Sequence, residues 1–185
     1  LAKFHPDINQ VQIPLRFGIC SYKQKKMDEA LQGFAEALKN DSKNYDANFY
    51  MSKLMFEKKE YEKSIKYYKE YQKIADNTEN YFWIAVAYDE LEDYKSAKEW
   101  YLKSIKFEKD GSPENRLGLI FYNEGNQKEA IKWYNASIQK GNLWAYDNLA
   151  VLYLDLGDYD AAEKLVRKGL GLVKSSDDKD IKKEF

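Results

Sequence analysis

The chain has 185 residues, with 30 Lys and Arg against 31 Asp and Glu, a formal charge of −1, and 44% hydrophobic and 16% aromatic residues. A chain this apolar, with only three prolines, is neither disordered nor a polyproline spacer, and its near-neutral charge gives no bulk attraction to nucleic acid or to an acidic membrane surface. No window approaches the roughly 18 to 20 apolar residues that a membrane helix needs, so direct membrane insertion is not expected.

The opening Leu1-Ala2-Lys3-Phe4-His5 has neither the basic nor the apolar region of a signal peptide. Without an initiator Met the chain reads as a piece of a longer protein. Residues 1–10 read as the end of a preceding helix and a loop. Within them His5-Pro6-Asp7 resembles the loop of J-domain co-chaperones, but that loop needs a helix on each side and a basic surface. Pro-Asp at the end of a helical repeat is the simpler reading.

From residue 11 one pattern recurs five times: a small residue, an aromatic about three later, then Ala or Ser, and usually another aromatic four further on. It reads Gly18/Tyr22/Ala30/Phe34, Ser52/Met55/Ser64/Tyr68, Ala85/Tyr88/Ala97/Tyr101, Gly118/Phe121/Ala130/Tyr134 and Ala150/Tyr153/Ala162/Val166. The Ala/Ser positions are separated by 34, 33, 33 and 32 residues, which divides the chain into units 11–44, 45–77, 78–110, 111–142 and 143–174. Each unit holds two amphipathic stripes. In the third, Ile84, Ala85, Tyr88 and Leu91 recur at helical spacing, and after Glu92-Asp93 a second stripe runs Tyr94, Ala97, Tyr101 and Ile105. The spacing therefore predicts an all-α chain of helical hairpins. Ser112-Pro113 is expected as an N-cap followed by proline in the first helical turn, and Gly125 and Gly157 as left-handed residues that end helices. Residues 175–185 read as a linker entering a capping helix or a further repeat: Asp177 and Asp178 suit a helix start, and Ile181 and Phe185 share one face.

These five copies resemble the tetratricopeptide repeat (TPR) family, whose unit of about 34 residues has small residues at positions 8 and 20 and large apolar ones at 7, 11 and 24. Position 7 here reads Phe17, Met51, Ile84, Leu117 and Leu149. Position 4, usually Trp, is Pro14, Asn48, Tyr81, Glu114 and Tyr146, and the usual proline at position 32 is missing. Ala130 to Tyr134 through Gly141 to Leu152-Tyr153 is also similar to Sel-one-like repeats, but without their longer inter-helix insertion. The resemblance implies a right-handed superhelical solenoid of antiparallel helix pairs whose first helices line the concave side.

Chemistry for catalysis is sparse. One His and one Cys do not make a zinc site, Gly169-Leu170-Gly171 has neither the spacing nor the Lys of a phosphate loop, and no cofactor is expected. Asn40-Asp41-Ser42 and Asn135-Ala136-Ser137 match the glycosylation pattern by chance. Cys20 alone makes no internal disulfide, which permits a reducing compartment such as the cytoplasm without requiring one.

The resemblance assigns partner contact to first-helix positions 2, 5, 6, 9, 12 and 13. The candidates are Arg16, Tyr22, Phe49, Tyr50, Phe56, Phe82, Trp83, Arg116 and Tyr122, with the aromatics concentrated in the first three units. Many of the chain's aromatics are equally explained as core. Tyr50 and Trp83, at position 6, are expected to point away from both neighbours. Trp, Tyr and Arg there suit an apolar or mixed peptide. The carboxylate clamp of co-chaperone-like TPR proteins is not expected, because its cationic and Asn positions hold Leu15, Ile19, Tyr50, Glu79 and Trp83, or one unit later Phe49, Lys53, Trp83, Ser112 and Arg116. Only Arg116 matches. Segments such as Glu57 to Glu60 and Lys95 to Glu99 read as ordinary surface charge pairs. The function expected is non-catalytic protein or peptide binding. Two alternatives stand beside it: a docking arm of an assembly that uses its convex face or ends, and a regulatory segment of a larger enzyme.

Overall fold

A computed structural model describes residues 6–75 and 80–175. His5, Glu79, Asp177, Asp178, Ile181 and Phe185 lie outside them. Among the described residues ten helices follow one another: α1 (Pro6–Lys23), α2 (Met27–Asn40), α3 (Tyr45–Glu57), α4 (Tyr61–Ala75), α5 (Tyr81–Glu90), α6 (Tyr94–Ser104), α7 (Ser112–Asn123), α8 (Gln127–Gln139), α9 (Trp144–Asp155) and α10 (Tyr159–Ser175). They form two units, residues 1–100 and 101–185.

Each hairpin turn is the same piece of backbone. Position 15 is left-handed in all five: Lys25, Lys59 and Glu92 at φ near +60°, Gly125 and Gly157 at +75°. The next residue's N–H then reaches back five residues, as Lys26 to Ser21, Glu60 to Met55, Asp93 to Tyr88, Asn126 to Phe121 and Asp158 to Tyr153, at 2.8–3.0 Å. This is the Schellman closure of a helix C-terminus, and it consumes carbonyls that the ended helix leaves open.

Small residues set how closely paired helices approach. A Cβ on Gly118 would lie 2.5 Å from the Tyr134 ring, and one on Gly18 2.7 Å from Phe34. Around these approaches sits the core: Leu15, Phe34, Met51 and Leu54 in one cluster, Ile65, Tyr68 and Ile84 in another, and Tyr134, Leu149 and Leu152 in the second unit. Burying each of these large side chains contributes about 1.5–3 kcal/mol.

Three expectations are corrected. Residues 6–10 are the first turns of α1 and not a loop, because Pro6 stands at the first helical position, where its missing N–H costs nothing. The second proline, Pro14, leaves the Gln10 carbonyl without its helical donor, and the Asn40 side-chain amide supplies the bond at 3.0 Å. Ser112 is the first residue of α7 and not its cap; that place belongs to Gly111, and the Asp110 carboxylate accepts from both Ser112 N–H and Oγ–H. Phe17 is 46% exposed, although its counterparts Met51, Ile84, Leu117 and Leu149 are buried. Met51, Ile84 and Leu149 pack with Phe34, Tyr68 and Tyr134 of the hairpin before their own, and α1 is the first helix described.

Position 4 of the fourth hairpin holds a buried ion pair. Glu114 is almost wholly enclosed and receives Lys140 Nζ at 2.6 Å, while the same ammonium donates to the carbonyl of Glu108 at 3.0 Å. Breaking such a pair leaves a charge stranded in low dielectric, whereas replacing both partners by apolar groups does not.

Two outcomes are expected in thermal and urea melts. Lys25→Gly, Lys59→Gly and Glu92→Gly should each stabilise by about 0.5–1 kcal/mol, because about 1–2 kcal/mol of left-handed strain outweighs glycine's extra unfolded freedom. Gly125→Ala should cost about 1 kcal/mol through torsion alone, since its Cβ would meet nothing within 4 Å. Separately, Lys140→Met should cost about 2–3 kcal/mol, and adding Glu114→Leu should recover most of that loss.

Candidate functional site

The first helices of the first unit carry an aromatic surface. On α3, Phe49 lies edge-on to Tyr50 with ring centroids 5.4 Å apart, and Tyr50 stacks on buried Phe34 at 5.6 Å. Tyr22 of α1 meets Tyr50 edge-on at 6.0 Å. On α5, Phe82 meets Trp83 at 5.6 Å, and Trp83 meets Phe56 of α3 at 5.8 Å. The structure thus brings six of the nine candidates into two groups of ring contacts, Tyr22, Phe49 and Tyr50 in one and Phe56, Phe82 and Trp83 in the other.

These six are unequal in what they offer a partner. Tyr50 gives a face to Phe34, so part of its surface is spent on the core. Tyr22 is half-buried, and its hydroxyl donates to the Glu57 carboxylate. Phe49, Phe56 and Phe82 are half-buried. Trp83 is the most open, at 43% exposure, and it borders an open cleft of about 220 Å³ lined by Lys53, Phe56, Glu57 and Tyr68. Tyr68 lies at 2% exposure among these lining residues. Arg16 is exposed on α1. Arg116 and Tyr122 belong to the second unit, where Arg116 is half-buried and the Tyr122 hydroxyl donates to Asp155.

The second unit's first-helix surface is more polar: Asn148 donates to Asn115 at 2.9 Å between α9 and α7. On α9 and α10 of this unit the exposed Leu154, Tyr159, Val166 and Leu170 line a shallow groove of about 360 Å³.

Residue-by-residue reading missed Lys53, Glu57 and Tyr68 as cleft residues. A signal for Glu57 was present: position 13 is acidic in three hairpins, as Glu57, Glu90 and Asp155, and each carboxylate accepts from a tyrosine of the preceding hairpin, Tyr22, Tyr61 and Tyr122. Lys53 stands at position 9, one of the first-helix positions that the family resemblance assigns to partner contact, whereas Tyr68 has only the pattern of a core tyrosine. Cys20 is exposed on α1. Among the described residues no group of three His, Cys, Asp or Glu side chains is placed to hold a metal, and no helix is long and apolar enough to cross a membrane.

Models described as the tetratricopeptide repeat match residues 21–80, 78–110, 115–139 and 142–173. The chain belongs to the tetratricopeptide repeat family. The TPR repeat-containing protein MJ1428 of Methanocaldococcus jannaschii is 28% identical over 153 residues, 81% of this chain, and the chain spans 26% of that relative's length. The crystal structure of MamA protein matches with a TM-score of 0.77 at 20% identity, covering 88% of this chain and 91% of that one. YrrB, titled a TPR protein with an unusual peptide-binding site, matches at 0.68 and 19% identity, covering 88% and 86%. At these identities the structural likeness is one of fold, an all-α helical-repeat solenoid. A TPR chain of this kind is a protein–protein interaction scaffold with protein or peptide partners, in a family of generally non-catalytic scaffolds.

Burial, with the bond to Glu57, pushes the Tyr22 hydroxyl far above its ordinary range; burial does the same to Tyr68 and Tyr134. Unfolded tyrosines ionise near pH 10, so above about pH 10 the unfolded chain binds fewer protons than the folded one and stability falls as pH rises. A tyrosinate absorbance titration of the native chain should leave these three un-ionised after exposed tyrosines have titrated. Tyr22→Phe should remove one late-titrating group and flatten the alkaline loss of melting temperature.

Proposed function

We propose that this TPR chain binds a peptide segment on the first-helix face of its first unit, with Phe49, Phe56, Phe82 and Trp83 as the contact surface and Tyr22 and Tyr50 buttressing it. One observation carries the reading: Trp83, a large amphipathic ring, stands 43% exposed beside an apolar cleft. Rings of this kind supply contact area at small entropic cost and dominate the energetics of interfaces. Arg16 and Arg116 are proposed as flanking contacts, and Tyr122 as a contact outside the aromatic row. The cationic positions of a carboxylate clamp stay unfilled in the first three hairpins, so an apolar or mixed segment is the better fit.

A second reading, docking through the end of the array, draws support from the exposed Leu154, Tyr159, Val166 and Leu170 on α9 and α10.

Selection of a random-peptide display library on the whole chain tests the two against each other. Enriched peptides should lose about 30-fold or more in affinity on Trp83→Ala, the scale of an interface hot spot, with the melting temperature nearly unchanged. Loss on Val166→Glu/Leu170→Glu with no loss on Trp83→Ala would move the site to α10.

A further inference from the structure

The cleft beside Trp83 contains a charge that the fold does not use. Lys53 is half-buried at its edge. Among the described residues it makes no ion pair, and its ammonium rests 5.5 Å from the centroid of the Phe49 ring. A contact of that kind is worth about 0.5–1 kcal/mol at a partly exposed site. The other charge lining the cleft, Glu57, is engaged: its carboxylate accepts the Tyr22 hydroxyl across from α1. An anion arriving at Lys53 displaces nothing stronger than a ring face, whereas one oxygen of the Glu57 carboxylate is already held by the Tyr22 hydroxyl. The two charges lie one helical turn apart on α3, so the pair also has a direction, with the uncommitted charge on the side of Phe49.

The rest of the lining is aromatic. Phe56, Tyr68 and Trp83 enclose about 220 Å³ with hardly any polar surface. A dry cavity of about 150 Å³ takes up benzene, so this cleft has room for one ring or one branched aliphatic side chain. A chain entering edge-on meets Trp83 and Phe56, whose own centroids are 5.8 Å apart in a T-shaped arrangement, one of the geometries that aromatic pairs prefer.

We propose that the peptide read by this site carries an aromatic or large aliphatic side chain that enters the cleft, with an Asp or Glu side chain within a residue or two of it that pairs with Lys53. The ligand class is therefore an acidic segment with an apolar anchor. This rests on the reading of the first-unit face as the peptide site and adds to it the sign of the partner's charge.

The probe is the same random-peptide library, displayed with its C-terminus fused so that no free terminal carboxylate is presented. Peptides whose binding depends on Trp83 should be enriched in Asp or Glu next to an aromatic or Leu. When resynthesised they should weaken by about tenfold on Lys53→Met, which keeps the apolar stem over Phe49, and further on Lys53→Glu, with affinity falling as salt rises. Replacing their acidic residues by Asn or Gln should abolish both the Lys53 dependence and the salt dependence. Trp83-dependent peptides that lack acidic residues, or that bind Lys53→Glu unchanged, overturn the charge assignment and leave the site reading standing. Recovery of no Trp83-dependent peptide overturns both. Circular dichroism melts of the Lys53 variants matching the parent show that a loss of binding is not a loss of fold.

Discussion

The contact between a small residue on each first helix and a large ring on its partner sets the depth at which the two helices pack. At Gly118 and Tyr134, and at Gly18 and Phe34, there is no space for even one more carbon. With the backbones that close, the rings at Phe34, Tyr68 and Tyr134 lose all but traces of their exposure, and they pack in clusters that run from one hairpin into the next. A helical hairpin buries too little surface to stand alone. Stacking supplies the rest, which is why α2 packs on α3, α4 on α5 and α8 on α9 within their units.

Closure of the turn follows from the same requirement. For the second helix to return along the first at this distance the chain must reverse within three or four residues, and the left-handed residue at position 15 does so while capping the first helix. Glycine takes the place in the last two hairpins, whereas Lys25, Lys59 and Glu92 accept the strain in the first three. That non-glycine residues persist there reflects how strongly the surrounding helices determine the turn. Strain at a turn is tolerable when packing on both sides of it is tight.

The two units spend the same fold differently. In the first, Tyr22, Phe49 and Tyr50 touch as one group and Phe56, Phe82 and Trp83 as another, and the aromatic surface opens as a cleft at Trp83. In the second, positions 5 and 6 hold Asn115, Arg116 and Asn148, and an amide pair joins neighbouring helices. Tyrosine-to-carboxylate bonds between successive hairpins occur in both units and orient side chains at the surface in each. A binding face made in this way is held by side chains on rigid helices, so its geometry does not have to be organised by the ligand.

Periodicity in the chain was enough to specify an all-α array of helical hairpins among the described residues, the small-residue positions and the left-handed glycines at Gly125 and Gly157, because each of these depends on neighbours three, four or a few residues away. Exposure was not specified that way. Phe17 and Val166 carry the same pattern signal as Met51 and Tyr134, yet they are exposed because burial at those positions comes from an adjacent hairpin, and none among the described residues covers them. Tyr50 and Trp83 share position 6 and differ for the same kind of reason: one finds Phe34 beneath it, the other a cleft. Lys53 and Glu57 read as ordinary surface charges in the linear chain, and only the approach of α1 and α5 to α3 distinguishes the engaged carboxylate from the uncommitted ammonium. A repeat encodes its own hairpin locally, but what each surface side chain meets is set by the hairpins on either side, which lie about 33 residues away in the chain and a few ångströms away in space.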